Sequence, residues 1–164
     1  MKIFLLATIV VFCGTCGIIY ANKYRKNYIF YADLLYIFNI FKLKIAFFQN
    51  NIAVAMEESL LHIKSKTNFF NGVILIAKKS KLTEDNIISC IDINLPIEEK
   101  QLIARYFLGI AFSYETSVVE NYILNGQKYF ENRQNYYQTK DNQEGTLAKK
   151  ISIGIGLVIA ILLY

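Results

Sequence analysis

Apolar residues are continuous at the two ends of this chain and periodic between them. Ile3 to Ala21 holds nineteen residues without a charge, close to the length at which a helix crosses a hydrocarbon core. Ile151 to Tyr164 holds fourteen more, about 21 Å as a helix, which is short for a full crossing. Its nine Ile, Leu and Val residues still favour lipid by about 3–5 kcal/mol, and snorkelling by Lys149 and Lys150 narrows the gap. An anchor at each end is expected. A signal peptide cut around Thr15 to Gly17 is the competing reading of the first segment.

Between the ends the spacing predicts helices throughout. Over Asn22 to Phe48, Tyr24, Tyr28, Tyr31, Leu35 and Phe38 recur at four- and three-residue steps. Asp33, Asn39, Lys42 and Lys44 would be costly in lipid, which favours a bundle helix over a third span. Asn50 and Asn51 supply a turn and cap before a helix over Ile52 to Lys66, with Met56, Leu60 and Ile63 on one side. A third helix runs from Thr67 or Asn68 to about Ser80, with a strand over Val73 to Ala77 as the alternative. Thr83, Glu84 and Asp85 cap a short helix ending near Ile91. Pro96, at the first helical position and followed by Glu98 and Glu99, starts another that buries Leu102, Ile103, Tyr106 and Ile110. After a break at Ser113 to Thr116, the last long helix carries Ile123, Phe130 and Tyr137 seven residues apart, beside Tyr122, Tyr129 and Tyr136. A flexible joint near Gly145 separates it from the tail. The expected fold is all-α: a cytoplasmic helical bundle over 22–148, flanked by an N-terminal membrane helix over 1–21 and a C-terminal membrane segment over 149–164.

The composition, 164 residues with 54% hydrophobic and one proline, fits one small domain plus membrane segments. A net charge of +5 raises the question of nucleic acid, but Lys23, Arg25, Lys26, Lys149 and Lys150 sit beside the apolar ends and flank a membrane instead. Nucleic acid is not expected as a partner. The same residues place the central region in the cytoplasm with both termini outward, a setting in which the three cysteines would not form structural disulfides. Cys13, Gly17 and Ala21, like Ser152, Gly156 and Ala160, recur every four residues and offer narrow stripes for close helix packing. The competing account is the ordinary abundance of small residues in membrane helices.

Candidate chemistry changes this picture little. The Cys13-Gly14-Thr15-Cys16 spacing suits a redox pair, yet it lies within an apolar segment rather than at a helix start after a strand. Glu57 and Glu58 are adjacent on a helix and diverge, and His62 has no Cys/His cluster around it. The Gly-Ile-Gly of the tail lacks the strand and third glycine of a nucleotide loop. No enzyme activity, cofactor or metal is expected.

The order of parts resembles the bacterial stage III sporulation protein AB family. The resemblance rests on the N-terminal apolar segment, the FFQNNIAVAMEESL turn and helix, LPIEEKQLIARYFLGIAF, and the ending LAKKISIGIGLVIAILLY. Gly109 stands at the first glycine of the family's G-x-x-x-G turn, Ser113 replaces the second, and Glu115 represents the acidic position that follows. Asn50-Asn51 occupies the place of the family's Thr-Pro. The resemblance implies a non-enzymatic membrane platform, similar to that of type II secretion systems, in a complex between mother cell and forespore. It also implies a secretion-type ATPase and other membrane components as partners, in the mother-cell membrane; a homo-oligomer is compatible with it. A secreted or surface helical domain with a cleaved signal and a C-terminal membrane tail is the alternative. A membrane thiol oxidoreductase using Cys13 and Cys16 is a third.

Overall fold

The first apolar segment and the aromatic stretch behind it form one helix, α1 (Lys2–Ile45), in place of the two separate helices that the charge boundary near Asn22 predicts. No proline interrupts this stretch and Ala21-Asn22 offers no competing turn, so the intrahelical bonds continue through the boundary. The computed structural model describes residues 2–45 and 52–163. The expected turn and cap at Asn50 and Asn51, and the helix end at Phe48, lie outside them. Among the described residues all regular structure is helical: α2 (Ile52–Ser59), α3 (Phe69–Lys78), α4 (Glu84–Cys90), α5 (Ile97–Phe112), α6 (Thr116–Lys140) and α7 (Thr146–Leu162) follow α1. The strand considered for Val73 to Ala77 is helix, within α3.

Two corrections to the expected boundaries have visible causes. The helix expected over Ile52 to Lys66 stops at Ser59, and a short 3₁₀ turn, Leu60–His62, leads into extended backbone at Ile63. Buried Asp33 on α1 explains the stop, because its carboxylate accepts the backbone N–H of Lys64 at 3.1 Å and of Ser65 at 2.6 Å. Those donors cannot then continue a helix. The expected flexible joint at Gly145 is instead a π-helical turn, Asp141–Gly145, that joins α6 to α7 without a break. A π turn widens the helix by i→i+5 bonding and so takes in extra residues without ending it.

Caps behave more locally. The Thr83 hydroxyl accepts the N–H of Asn86 at 3.3 Å to open α4, with Glu84 and Asp85 in the first turn. Pro96 caps α5 from one position earlier than expected, and Glu98 and Glu99 fill its first turn. Asn68 precedes α3 without a side-chain cap bond.

The chain divides into two compact units, Ile29–Gln134 and Met1–Tyr28 with Asn135–Tyr164. Residues 22–28 and 135–148 of the expected central region therefore group with the terminal helices. In Ile29–Gln134 the core is aromatic: Phe30, Tyr31, Phe38 and Phe41 of α1, Phe69 and Phe70 of α3, Phe107 of α5 and Phe130 of α6 are buried. Leu35, expected on the core face of α1, is half-buried, because Phe30, Leu34, Ile37 and Phe41 take the interior positions. Packing on more than one side widens the apolar stripe of a helix beyond a single heptad seam. Ile123 and Phe130 of α6 are buried, whereas Tyr122 is partly exposed. Gly126 lies between them in sequence, and the ring of Phe38 fills the space its Cβ would occupy.

One continuous helical stretch among the described residues, Thr116–Leu162, is long and apolar enough to cross a membrane.

Candidate site: the paired terminal helices

Glycines decide how closely the two terminal helices approach within their unit. A Cβ on Gly17 would lie 2.7 Å from the Cβ of Ser152 and 3.0 Å from the carbonyl oxygen of Ala148. A Cβ on Gly156 would lie 3.1 Å from both the Cβ of Cys13 and the Cα of Val10. Further along, a Cβ on Gly145 would meet the Cβ of Ala21 at 3.4 Å. As numbers rise along α1 they fall along α7, so the helices run antiparallel. Each glycine lets a side chain or backbone of the other helix occupy the place of its missing Cβ, the usual device for close packing without a hydrophobic drive.

The two small-residue stripes meet at Cys13, Gly17, Ser152 and Gly156, and Ala21 meets Gly145 of the π turn. Ala160 is half-buried. Val10 and Gly145 were not part of either stripe. Gly145 reads as a joint when only its neighbours in sequence are considered; its burial against Ala21 shows it to be a contact. Around this seam the apolar side chains turn outward: Val11, Phe12, Ile18 and Ile19 on α1, and Ile151, Ile153, Ile155, Leu157, Val158, Ile161 and Leu162 on α7, are exposed. Two hydroxyls of this stretch are satisfied locally, Thr8 donating to the Phe4 carbonyl at 2.9 Å and Thr15 to that of Phe12 at 2.7 Å. An apolar exterior whose Thr8 and Thr15 hydroxyls bond back to their own helix suits lipid.

A polar cluster closes the seam at the other end. The Tyr24 hydroxyl donates to Glu144 at 2.7 Å, Lys140 pairs with the same carboxylate, and the Tyr20 hydroxyl lies 3.4 Å from that of Tyr24. The flanking cations Lys23, Arg25, Lys26 and Lys150 are exposed, and Lys149 is half-buried.

The remaining candidates lie elsewhere. Cys13 faces Gly156 while Cys16 is exposed, so the C-x-x-C spacing is split between the seam and the outer surface of one helix. Burial pushes the Cys90 thiol up, against a smaller opposing effect of the Ser89 hydroxyl. Such a thiol holds little thiolate at neutral pH. Glu57 pairs with Lys78 and Glu58 with Lys44 at the surface, and exposed His62 stacks edge-on against Tyr36. Among the described residues no group of three His, Cys, Asp or Glu side chains is placed to hold a metal.

Gly109 and Glu115 mark the corner between α5 and α6. A Cβ on Gly109 would lie 2.5 Å from the ring of Tyr122, and the backbone oxygen of exposed Glu115 accepts from Val118 and Val119 at 3.1 Å each to start α6. Leu102, Tyr106, Phe112 and Tyr122 line an open groove of about 550 Å³ at this corner, with Arg105 at its edge 3.6 Å from Glu84.

The seam has a direct test. With Cys16→Ser and Cys90→Ser in place, Gly156→Cys puts two thiols on Cβ atoms close to the roughly 3.5–4.5 Å separation a disulfide needs. Mild oxidation is expected to cross-link the chain internally, seen as faster migration on non-reducing gels, and an added Gly17→Leu is expected to reduce the yield severalfold. Cross-linked dimers without the internal product would refute the antiparallel seam. Comparison with protein-family models, with curated proteins and with solved structures gives no match to this chain.

Proposed function

We propose that this chain is a non-enzymatic membrane platform, held by its two terminal helices, in a secretion-like complex between mother cell and forespore. The single observation that carries the membrane part is the glycine seam with its apolar exterior, because a soluble unit would bury those side chains and expose polar ones. In this reading α7 does not act as an isolated fourteen-residue tail. It continues directly from the preceding π turn, with the Thr146 N–H on the Gln143 carbonyl, so it lacks the free helix start that would make a separate short helix costly in lipid.

The first segment remains attached in this reading. Cleavage around Thr15 to Gly17 would remove Val10 and Cys13, the two residues that pack on Gly156. Residues 29–134 lie on the cytoplasmic side, by the position of the flanking cations. The sporulation setting and the secretion-type ATPase partner rest on the resemblance quoted above and on nothing further. A platform is the economical activity for the chain, since its polar clusters are ion pairs, caps and core bonds.

The test uses Tyr114→Cys in a chain otherwise without cysteine, because Tyr114 is fully exposed. A membrane-impermeant maleimide is expected to label it only after the cells are permeabilised, and a photocrosslinker attached there is expected to capture a secretion-type ATPase. Labelling in intact cells would overturn the orientation. Crosslinks to lipid and to the chain itself alone would overturn the platform.

A further inference from the structure

The positive charge of this chain is not spread over it. From residue 29 to residue 139, eleven Lys and Arg residues face eleven Asp and Glu residues, so that stretch is neutral. The surplus is carried by residues 20–28 and 140–150. There, six cations, Lys23, Arg25, Lys26, Lys140, Lys149 and Lys150, stand against two carboxylates, Asp141 and Glu144, leaving four of the chain's +5. The structure brings these two segments side by side. Ala21 touches Gly145, Tyr24 bonds Glu144, and Gly17 packs on Ser152 with Ala148 beside it. Lys149 and Lys150 thus lie level with the turn between Gly17 and Ala21, and Lys23 to Lys26 one turn farther on. The cations occupy a band about 14 Å tall along the helix axes, and their long side chains can reach along it to a headgroup layer of roughly 5–8 Å in one leaflet.

Within the band the acidic groups are already engaged or turned inward. Glu144 is held by Lys140 and Tyr24, and Asp141 lies beside Gly145. Among the described residues, Lys23, Arg25, Lys26, Lys149 and Lys150 have no carboxylate within ion-pair distance. Tyr20 is half-exposed in the same band, where an amphipathic ring favours the headgroup level.

We infer that this band binds the anionic headgroups of phospholipids, as a lipid-selective collar around the paired helices. The inference rests on the membrane reading above and adds its ligand. A neutral stretch of 29–139 contributes no net attraction, so selectivity for anionic lipid is a property of the collar. Charge complementarity assigns the occupant: exposed ammonium and guanidinium groups at headgroup height, next to an apolar exterior, match a phosphodiester carried on acyl chains.

The test uses the full chain in nanodiscs made from an equimolar mixture of phosphatidylcholine and phosphatidylglycerol, with the lipids that stay bound counted by native mass spectrometry. Phosphatidylglycerol is expected to be enriched about three- to fivefold over bulk at low salt, and less at high salt. Neutralising the collar with K23Q, R25Q, K26Q, K149Q and K150Q is expected to abolish the enrichment. The same change at five exposed lysines elsewhere, K42Q, K64Q, K66Q, K79Q and K81Q, is expected to leave it intact. Equal retention of the two lipids, enrichment that survives the collar variant, or equal loss in the control variant would each overturn the inference while leaving the membrane reading in place. Displacement of the bound lipid by soluble glycerol phosphate would assign the site to free phosphate instead and overturn the lipid collar. Failure of the wild-type chain to enter nanodiscs would sink the membrane reading, and the collar with it.

Discussion

Phe38→Ala is expected to destabilise the unit of residues 29–134 by about 3–5 kcal/mol, the usual cost of removing a fully packed aromatic ring. Phe38 is the hub of the core. Its ring lies edge-on to Phe130 at 4.7 Å and to Phe107 at 5.5 Å, and Phe41 and Tyr106 complete the cluster at 5.5 and 6.4 Å. Those neighbours hold one another from α1, α5 and α6, so they cannot collapse into the space left behind, and the cavity cost adds to the lost burial. Measured against a typical total of about 5–15 kcal/mol, the loss would move the denaturant midpoint of the purified chain far to the left. Phe38→Leu is expected to cost roughly half as much. A loss below about 1 kcal/mol for the alanine variant would show that the rings are not packed as described.

Glu99→Ala is the second large effect, again about 3–5 kcal/mol, because it breaks a buried ion pair from one side. Glu99 is 6% exposed, accepts the hydroxyl of buried Tyr31, and pairs with Arg133 of α6. Removing the carboxylate takes the counter-charge from a guanidinium already largely withdrawn from water. The double variant Glu99→Leu with Arg133→Met is expected to be more stable than Glu99→Ala alone, since it removes both charges and restores apolar volume. Thermal melts of Glu99→Leu, Arg133→Met and the double variant supply the cycle. A double variant whose loss equals the sum of the losses of Glu99→Leu and Arg133→Met would show that the pair adds nothing beyond its separate parts.

Much of the all-helical reading rests on signals that act over a few residues. Ile123 and Phe130, seven apart, are buried as their spacing implied, and Tyr137 is buried within its own unit. The Thr83 cap and the acids behind Pro96 sit at helix starts to within a residue. These features depend on periodicity and on donors that a neighbouring side chain can reach, so they are written locally. The expectation failed where a distant partner intervened. Asp33 ends the second helix early by binding backbone thirty-one residues away. Glu99, in the first turn as expected, is also a core group because Tyr31 and Arg133 arrive from other helices.

The order of residues alone determined that this chain is helical, that its apolar mass lies at its two ends, and that its charge surplus lies beside them. It also determined which small residues were available for close packing. Only the tertiary structure decided that Gly17 meets Ser152, that Gly156 meets Val10 and Cys13, and that Gly145 is a contact rather than a joint. The reason is geometric. A glycine in sequence is equally a weak point in a helix and a place where another backbone can come near, and only the arrival of the other helix separates the two.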